Sequence, residues 1–311
     1  MHRLFLPRFD SRFPLSSMIC RRPLSSRRSV LGLAFGAVLT IAAWAPAEEP
    51  AVKVLTNLAY RSGPELSEYE TTRCKLDLYV PEGKGADLPC LVWFHGGGIT
   101  AGDKEGKTAQ IAESLAKEGY IVAAVNYRLS PKATYPSYIE DAAASVAWVI
   151  QHAKEHGGNP AKVFVSGHSA GGYLTTMLAL DPKYLGKHGI KPETILGYMP
   201  VAGQMITHAA VRAERGIGKD VITVDEAAPL YHVRKDLPPL LVLHAEKDMK
   251  MRSEENRFFA EALTAAGNKN FEIHEVAGHD HGGVGNRISE PSDAGRLLLL
   301  KFMATRLAAA R

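Results

Sequence analysis

Cysteine is scarce in this chain, with three in 311 residues. One of them, Cys20, lies ahead of an apolar run near the N terminus, where it is badly placed for a lipoprotein anchor. That leaves Cys74 and Cys90 for everything that follows. Two cysteines in a domain of this size make no disulfide framework, and without a Cys-x-x-Cys spacing they offer no zinc or redox motif; they read as two unpaired thiols. Internal repeats, low-complexity tracts, a Walker loop and a Gly-x-Gly-x-x-Gly fingerprint are also missing, which removes solenoids, phosphate-loop enzymes and Rossmann cofactor binding. Net charge is nearly absent as well. The chain holds 37 Lys and Arg against 33 Asp and Glu, but residues 1–47 contain seven of the arginines and one aspartate, leaving 30 basic against 32 acidic residues. The basicity belongs to the first residues alone, so no electrostatic case exists for nucleic acid or an anionic surface as partner.

Those first residues have an organisation of their own. Arg21, Arg22, Arg27 and Arg28 precede an uncharged stretch over 29–46, which closes on Ala45-Pro46-Ala47 and is followed at once by Glu48 and Glu49. A positive region, a short apolar region and a small-residue cleavage site form a secretory signal. The expectation is a leader over 1–47, cleaved near Ala47, and an exported protein, periplasmic or extracellular, with no stable membrane anchor afterwards. Ser26-Arg27-Arg28-Ser29-Val30-Leu31 resembles a twin-arginine signal, with Val30 where that pattern prefers Phe, so twin-arginine and Sec routes both stand.

The rest of the chain alternates strand and helix signals. Residues 48–63 are low in periodicity and read as a tail or edge strand. Leu76, Leu78 and Val80 alternate with Lys75 and Asp77, the period of a half-buried strand, whereas Leu91-Val92-Trp93-Phe94 is apolar throughout, as in the middle of a helix-covered parallel sheet. A helix from Thr108 stops at Gly119, residues 120–125 form another strand, and Asp141 to Ala153 a second helix. Val163-Phe164-Val165, a stretch from Ile195, the run Leu240 to Leu243, and Phe271 with Ile273 supply further strands. Ser253 is expected to open one helix and Ser292 to cap the last. Residues 204–236 break the period and read as a long loop able to cover a substrate. This alternation predicts right-handed crossovers and one α/β domain over 64–311: a mostly parallel central sheet of about eight strands with helices on both faces.

Two glycine-rich stretches carry the chemistry. Gly167-His168-Ser169-Ala170-Gly171-Gly172 joins a strand to a helix, and Gly-x-Ser-x-Gly in that context is a nucleophile elbow: the turn is strained, its neighbours must be nearly bare of side chain, and helix amides point at the serine hydroxyl. Ser169 is thus the candidate nucleophile. His95-Gly96-Gly97-Gly98 directly follows a strand, and three costly glycines suit a backbone that aims amide N–H groups into a cavity.

A serine hydroxyl needs a base to take its proton and a carboxylate to orient that base, both at the carboxyl ends of later strands. Asp248, just beyond the strand at 240–243, is the orienting candidate, with Glu246 as its rival. The base follows the last strand, in Gly278-His279-Asp280-His281-Gly282, where spacing does not separate His279 from His281. A competing arrangement would use His279, Asp280 and His281 with His244 or His274 around a metal ion, but it leaves the elbow and the glycine loop without a purpose. His152, His156, His188, His208 and His232 are expected to face solvent and take no role.

From about Leu76 to the C terminus the chain resembles the α/β-hydrolase fold superfamily, in particular the esterase/lipase branch with a His-Gly-Gly-Gly loop. The likeness rests on His95-Gly96-Gly97-Gly98, Gly102-Asp103-Lys104, Asn126-Tyr127-Arg128-Leu129-Ser130-Pro131, the elbow, Asp248 and Asp280-His281-Gly282, and is nearest to hormone-sensitive-lipase-like and bacterial feruloyl-esterase-like carboxylesterases. It implies His281 as the base, since the catalytic histidine of such relatives commonly follows an Asp, and an oxyanion hole from the amides of Gly97, Gly98 and Ala170. It departs from the hormone-sensitive-lipase pattern at His168, where Asp is usual, and in lacking that group's long N-terminal cap helices. The expected function is hydrolysis of carboxylic esters of small molecules through an acyl-enzyme, with no metal or organic cofactor. Carbohydrate deacetylases, feruloyl esterases and amide or formamide hydrolases fit the same triad, and a catalytically inactive binding module is the alternative from another class.

Overall fold

β-branched and aromatic runs that bury both faces are suited to the interior of a sheet, and here they build one. The computed structural model describes residues 50–218 and 220–310; the leader expected over 1–47, with its cleavage site, lies outside the described residues. The strands are β1 (Val52–Ala59), β2 (Lys75–Pro81), β3 (Leu88–Phe94), β4 (Ile121–Val125), β5 (Gly158–His168), β6 (Gly197–Val201), β7 (Leu240–Lys247) and β8 (Phe271–Asp280). They form one eight-stranded sheet in the order β1-β2-β4-β3-β5-β6-β7-β8. β2 pairs antiparallel with β1 and β4, and every pairing from β4 through β8 is parallel.

The helices are α1 (Glu68–Arg73), α2 (Lys107–Lys117), α3 (Ser137–His152), α4 (Ala170–Leu180), α5 (Pro182–Gly186), α6 (Ala209–Glu214), α7 (Arg252–Ala265), α8 (His281–Asn286) and α9 (Ala294–Ala309). Strand side chains alternate between two cores, as a two-residue period requires. Cys90, Val92 and Phe94 of β3 join the core under α3 and α4 with Tyr138, Val146, Tyr173 and Leu178. Leu91 and Trp93 join the opposite core with Ile111 and Leu115 of α2 and Leu299 and Met303 of α9. Helices on both faces explain why the parallel strands are apolar without alternation.

Local chemistry moves several boundaries from their expected places. Residues 48–63 contain the edge strand β1, which bulges between Leu55 and Leu58; Asn57 takes φ 57° and donates its amide to Asp77 Oδ1 at 2.7 Å. The last helix is capped by Asp293, not Ser292: the Asp293 carboxylate accepts from Arg296 N at 3.1 Å and adds a negative charge at the helix N terminus, which a serine one residue earlier does not supply. Ser253 lies inside α7 instead of capping it, its hydroxyl donating to Ala245 O at 2.8 Å, while Met251 at φ 67° makes the turn into the helix. α3 starts at Ser137, four residues before the expected Asp141. The non-periodic segment over 204–236 contains α6 and a 3-10 turn, Pro229–His232, and buries Met205 and Val211.

Two motifs carried by resemblance acquire a physical role in one partly buried hydrogen-bond network around the glycine loop. Lys104 Nζ donates to Asp77 Oδ2 at 2.9 Å and its amide to Asn126 Oδ1 at 2.7 Å. Arg73 donates to Asp103 Oδ2 at 2.9 Å, Gly102 O at 2.6 Å and Tyr127 O at 2.9 Å, and Tyr127 Oη donates to His95 O at 2.8 Å. Lys104 and Asp77 have side chains only 4% and 7% exposed, so breaking the pair strands a buried carboxylate. Lys104→Met should therefore destabilise the fold by about 3–5 kcal/mol, read from the midpoint shift in urea unfolding at unchanged slope.

Candidate active site

The site is built at the carboxyl ends of β3, β5, β7 and β8. β5 ends at His168 and α4 begins at Ala170, so Ser169 alone makes the turn, with φ 56° and ψ −111°. Such a conformation costs a non-glycine residue on the order of 1–3 kcal/mol and persists only where its surroundings over-determine it. They do so here. Ser169 N donates to Val201 O at 2.8 Å, and a Cβ on Gly167 or Gly171 would stand 2.7 or 2.1 Å from Phe94 O.

His281 opens α8, whose N-cap Asp280 accepts from Gly283 N at 2.7 Å. Its Nε2 lies 2.8 Å from Ser169 Oγ and its Nδ1 2.5 Å from Asp248 Oδ1. Asp248, in the turn after β7, has no side-chain exposure. Burial works against its ionisation, but the hydrogen bond and charge of His281 and the amides of Ala245 and Met249 outweigh it, holding its pKa below the ordinary carboxylate value. With Asp248 ionised, His281 Nδ1–H donates to it, which leaves Nε2 free to accept from the Ser169 hydroxyl. The three side chains form a continuous hydrogen-bonded line.

The glycine loop lies alongside. Gly97 and Gly98 take φ 109° and 63°, and the Gly97 carbonyl accepts from Thr100 N at 3.1 Å and Ala101 N at 3.0 Å. The amides of Gly97 and Gly98 donate to no partner among the described residues, and Ala170 N heads α4. A Cβ on Gly96 would stand 3.4 Å from Ser169 Cβ, so the loop passes directly beside the nucleophile. His95 anchors it as a buried ring stacked on Tyr127 at 4.3 Å; burial holds its pKa down to about 4, against the pull of the Gly96 carbonyl.

The alternatives read from the sequence are engaged elsewhere. Glu246 Oε2 accepts from Gly278 N at 2.6 Å, tying β7 to β8. His279 Nε2 faces Asp293 Oδ2 at 2.6 Å and its Nδ1 faces Ala277 O at 2.8 Å. His274 pairs with Glu272 at 3.3 Å and His244 sits 3.9 Å from Glu275, so the donors imagined around a metal are dispersed. Cys74 and Cys90 are buried free thiols, each pushed up to about 12 by desolvation.

One histidine expected at the surface is not there. His208 is buried, caps α6 by accepting from Ala210 N at 3.1 Å, and lies 4.9 Å from the Tyr173 ring. Burial, with Arg252 and Arg212 nearby, holds its pKa down to about 3. It sits in the aperiodic segment, where no pattern reports burial. The roles of Arg73 and Tyr127 as props of the glycine loop were likewise beyond spacing arguments, because their partners are distant in sequence.

Sheet order, elbow and glycine loop together define an α/β-hydrolase fold. Residues 76–188 match the BD-FAE family. The chain is 32% identical over 192 residues to the probable carboxylic ester hydrolase LipM of Mycobacterium tuberculosis, covering 56% of this chain and 44% of LipM. It spans about half the length of the curated relatives it matches. Esterase 2 of Thermogutta terrifontis superposes with a TM-score of 0.60 at 25% identity, over 84% of this chain and 94% of that one. A carbohydrate esterase from gut microbiota shares the fold, with a TM-score of 0.67 at 21% identity over 84% and 98% of the two chains. The likeness is thus to the esterase/lipase branch of these hydrolases.

The two neighbouring histidines are separable by experiment. His279→Gln should lower stability by about 1–3 kcal/mol, the cost of leaving a buried acceptor unmatched, with kcat nearly unchanged. His281→Gln should keep its melting temperature within a few degrees and lose kcat by on the order of a thousandfold or more. Thermal melts paired with steady-state kinetics check both.

Proposed function

We propose that the chain is an exported serine hydrolase that cleaves carboxylic esters of small molecules through an acyl-enzyme. The carrying observation is the line from Ser169 Oγ through the His281 ring to Asp248, at 2.8 and 2.5 Å. The names of the curated relatives, LipM among them, support an ester substrate.

In this reading the substrate carbonyl oxygen lodges against the amides of Gly97, Gly98 and Ala170. Ser169 Oγ attacks the carbonyl carbon as its proton passes to His281 Nε2. The imidazolium that forms is balanced by Asp248, and the tetrahedral oxyanion by the three amides; losing one such donor in comparable enzymes costs on the order of a hundredfold in turnover. Collapse breaks the ester C–O bond, and the departing alcohol takes the proton from His281. Water then repeats the sequence with His281 as base, freeing the acid and restoring Ser169.

The solved structure of Thermogutta terrifontis esterase 2 is titled as phosphoramylated by tabun, so a phosphorus electrophile is the direct probe of the same chemistry here. A fluorophosphonate should label the wild-type protein and not Ser169→Ala, and the variant should lose kcat/KM on a short activated ester by on the order of ten thousandfold. An unlabelled wild-type protein would instead mark a binding module. A panel of acyl chain lengths, acetylated sugars, feruloyl esters and N-formyl amides, with Ser169→Ala as blank, ranks the substrate classes.

Export rests on the composition of residues 1–47. Expression of the full chain in a bacterial host should place the protein outside the cytoplasm with its N-terminal sequence starting at Glu48; a cytoplasmic protein retaining residues 1–47 would refute it.

A further inference from the structure

Resting on the serine-hydrolase reading, we propose that His168 is a positioning residue, whose Nε2–H holds the backbone of the catalytic base and so locks His281 to the turn that carries Ser169. His168 Nε2 lies 2.7 Å from the carbonyl oxygen of His281. A carbonyl can only accept, so the Nε2 proton is present and the tautomer is fixed. The residue immediately before the nucleophile thus grips the first residue of α8, and nucleophile and base share a rigid link that does not pass through their own side chains.

The surroundings of the ring fit that role. Gly285 stands one helical turn beyond His281 on α8, and a Cβ there would lie 2.2 Å from His168 Cγ and 2.3 Å from Cδ2. A Cβ on Gly96 would stand 3.2 Å from His168 Nδ1. Both α8 and the glycine loop thus approach this one imidazole closely. Its centroid lies 5.0 Å from that of His281, with the planes at 43°. A charged donor at that distance would oppose the imidazolium that catalysis needs. Burial first, and then the adjacent His281, hold the His168 pKa down to about 4, so it serves as a neutral donor.

The test compares His168→Leu, which removes the donor, with His168→Gln, which returns an N–H at a similar reach, and with Ser169→Ala as the measure of residual activity. His168→Leu should lower kcat by on the order of ten- to a hundredfold, as small misplacements of a catalytic group do, with KM within about twofold. His168→Gln should recover most of that loss. The far-downfield proton resonance of the His281–Asp248 hydrogen bond should broaden or vanish in His168→Leu and reappear in His168→Gln. Should His168→Leu fail to fold, Gly285→Ala displaces the ring from outside and should give the same loss of kcat at native far-ultraviolet dichroism. Unchanged kcat in a folded His168→Leu or Gly285→Ala, or a Gln variant no better than Leu, overturns the proposal while leaving the hydrolase reading intact. Full activity in Ser169→Ala would overturn the hydrolase reading itself.

Discussion

The site depends on how closely the end of one strand approaches the turn after another. Phe94 and Gly167 are register partners on the parallel strands β3 and β5, and the Phe94 carbonyl comes so near the elbow that a Cβ on Gly171 would stand 2.1 Å from it. That contact does two things at once. It forbids side chains at Gly167 and Gly171, two residues to either side of Ser169, and the serine between them takes the positive φ that lifts its hydroxyl out of the sheet. It also starts the His95-Gly96-Gly97-Gly98 loop within reach of that hydroxyl, since adjacent strands are held about 4.8 Å apart by their ladder. The start of the glycine loop is therefore placed beside Ser169 by the hydrogen-bonded ladder between β3 and β5.

Around this core the protein distributes charge unevenly among its imidazoles. His95, His168 and His208 are each held well below the ordinary histidine value, chiefly by burial. They act as neutral hydrogen-bonding rings: one props the glycine loop, one grips α8, one caps α6. His281 is arranged differently, with an ionised carboxylate on one nitrogen and a hydroxyl on the other. The buried Asp248, held ionised by the ring and two amides, supplies the counter-charge for the imidazolium that the proposed reaction forms.

What could be read from the sequence follows from where the information lies. The elbow, the glycine loop and the apolar strands are local patterns, in which backbone conformation and burial leave their mark on consecutive residues. The proposed base is not local in this sense: His279 lies at the end of β8 and His281 directly after it, and their three-dimensional partners, Asp293 for one and Asp248 for the other, are what differ. Resemblance pointed to His281; spacing could not. His208 is buried although it lies in a segment without periodicity, because its burial comes from packing against Tyr173 of α4 and leaves no pattern on its neighbours. The cap of α9 was displaced by one residue because Ser292 and Asp293 are both good caps in isolation, and the carboxylate is also needed by His279. Arg73 carried no signal at all, since each of its acceptors belongs to a distant loop.

The chain beyond β6 is not restrained evenly. The chain leaving β6 is fixed tightly behind the nucleophile: Ala202 takes φ 50°, its carbonyl accepts from Arg252 Nη1 at 2.7 Å, and Gly203 packs on Gly172 and accepts at its carbonyl from Asn256 at 2.9 Å. Both donors come from α7, the helix that follows the turn bearing Asp248, so any shift in this stretch would disturb the hydrogen bond between Asp248 and His281. Further along, the restraint changes character. Asp225 and Glu226 are tied to the half-exposed Arg215, while Val221, Ile222 and Val224 stand in solvent. Side chains left in solvent bury little apolar surface and contribute little to folding, although the backbone beside them is tied to the buried Arg212 and Thr207. Substitutions at Val221, Ile222 and Val224 leave the alignment of Ser169, His281 and Asp248 untouched, because none of the bonds that hold those three in line pass through them.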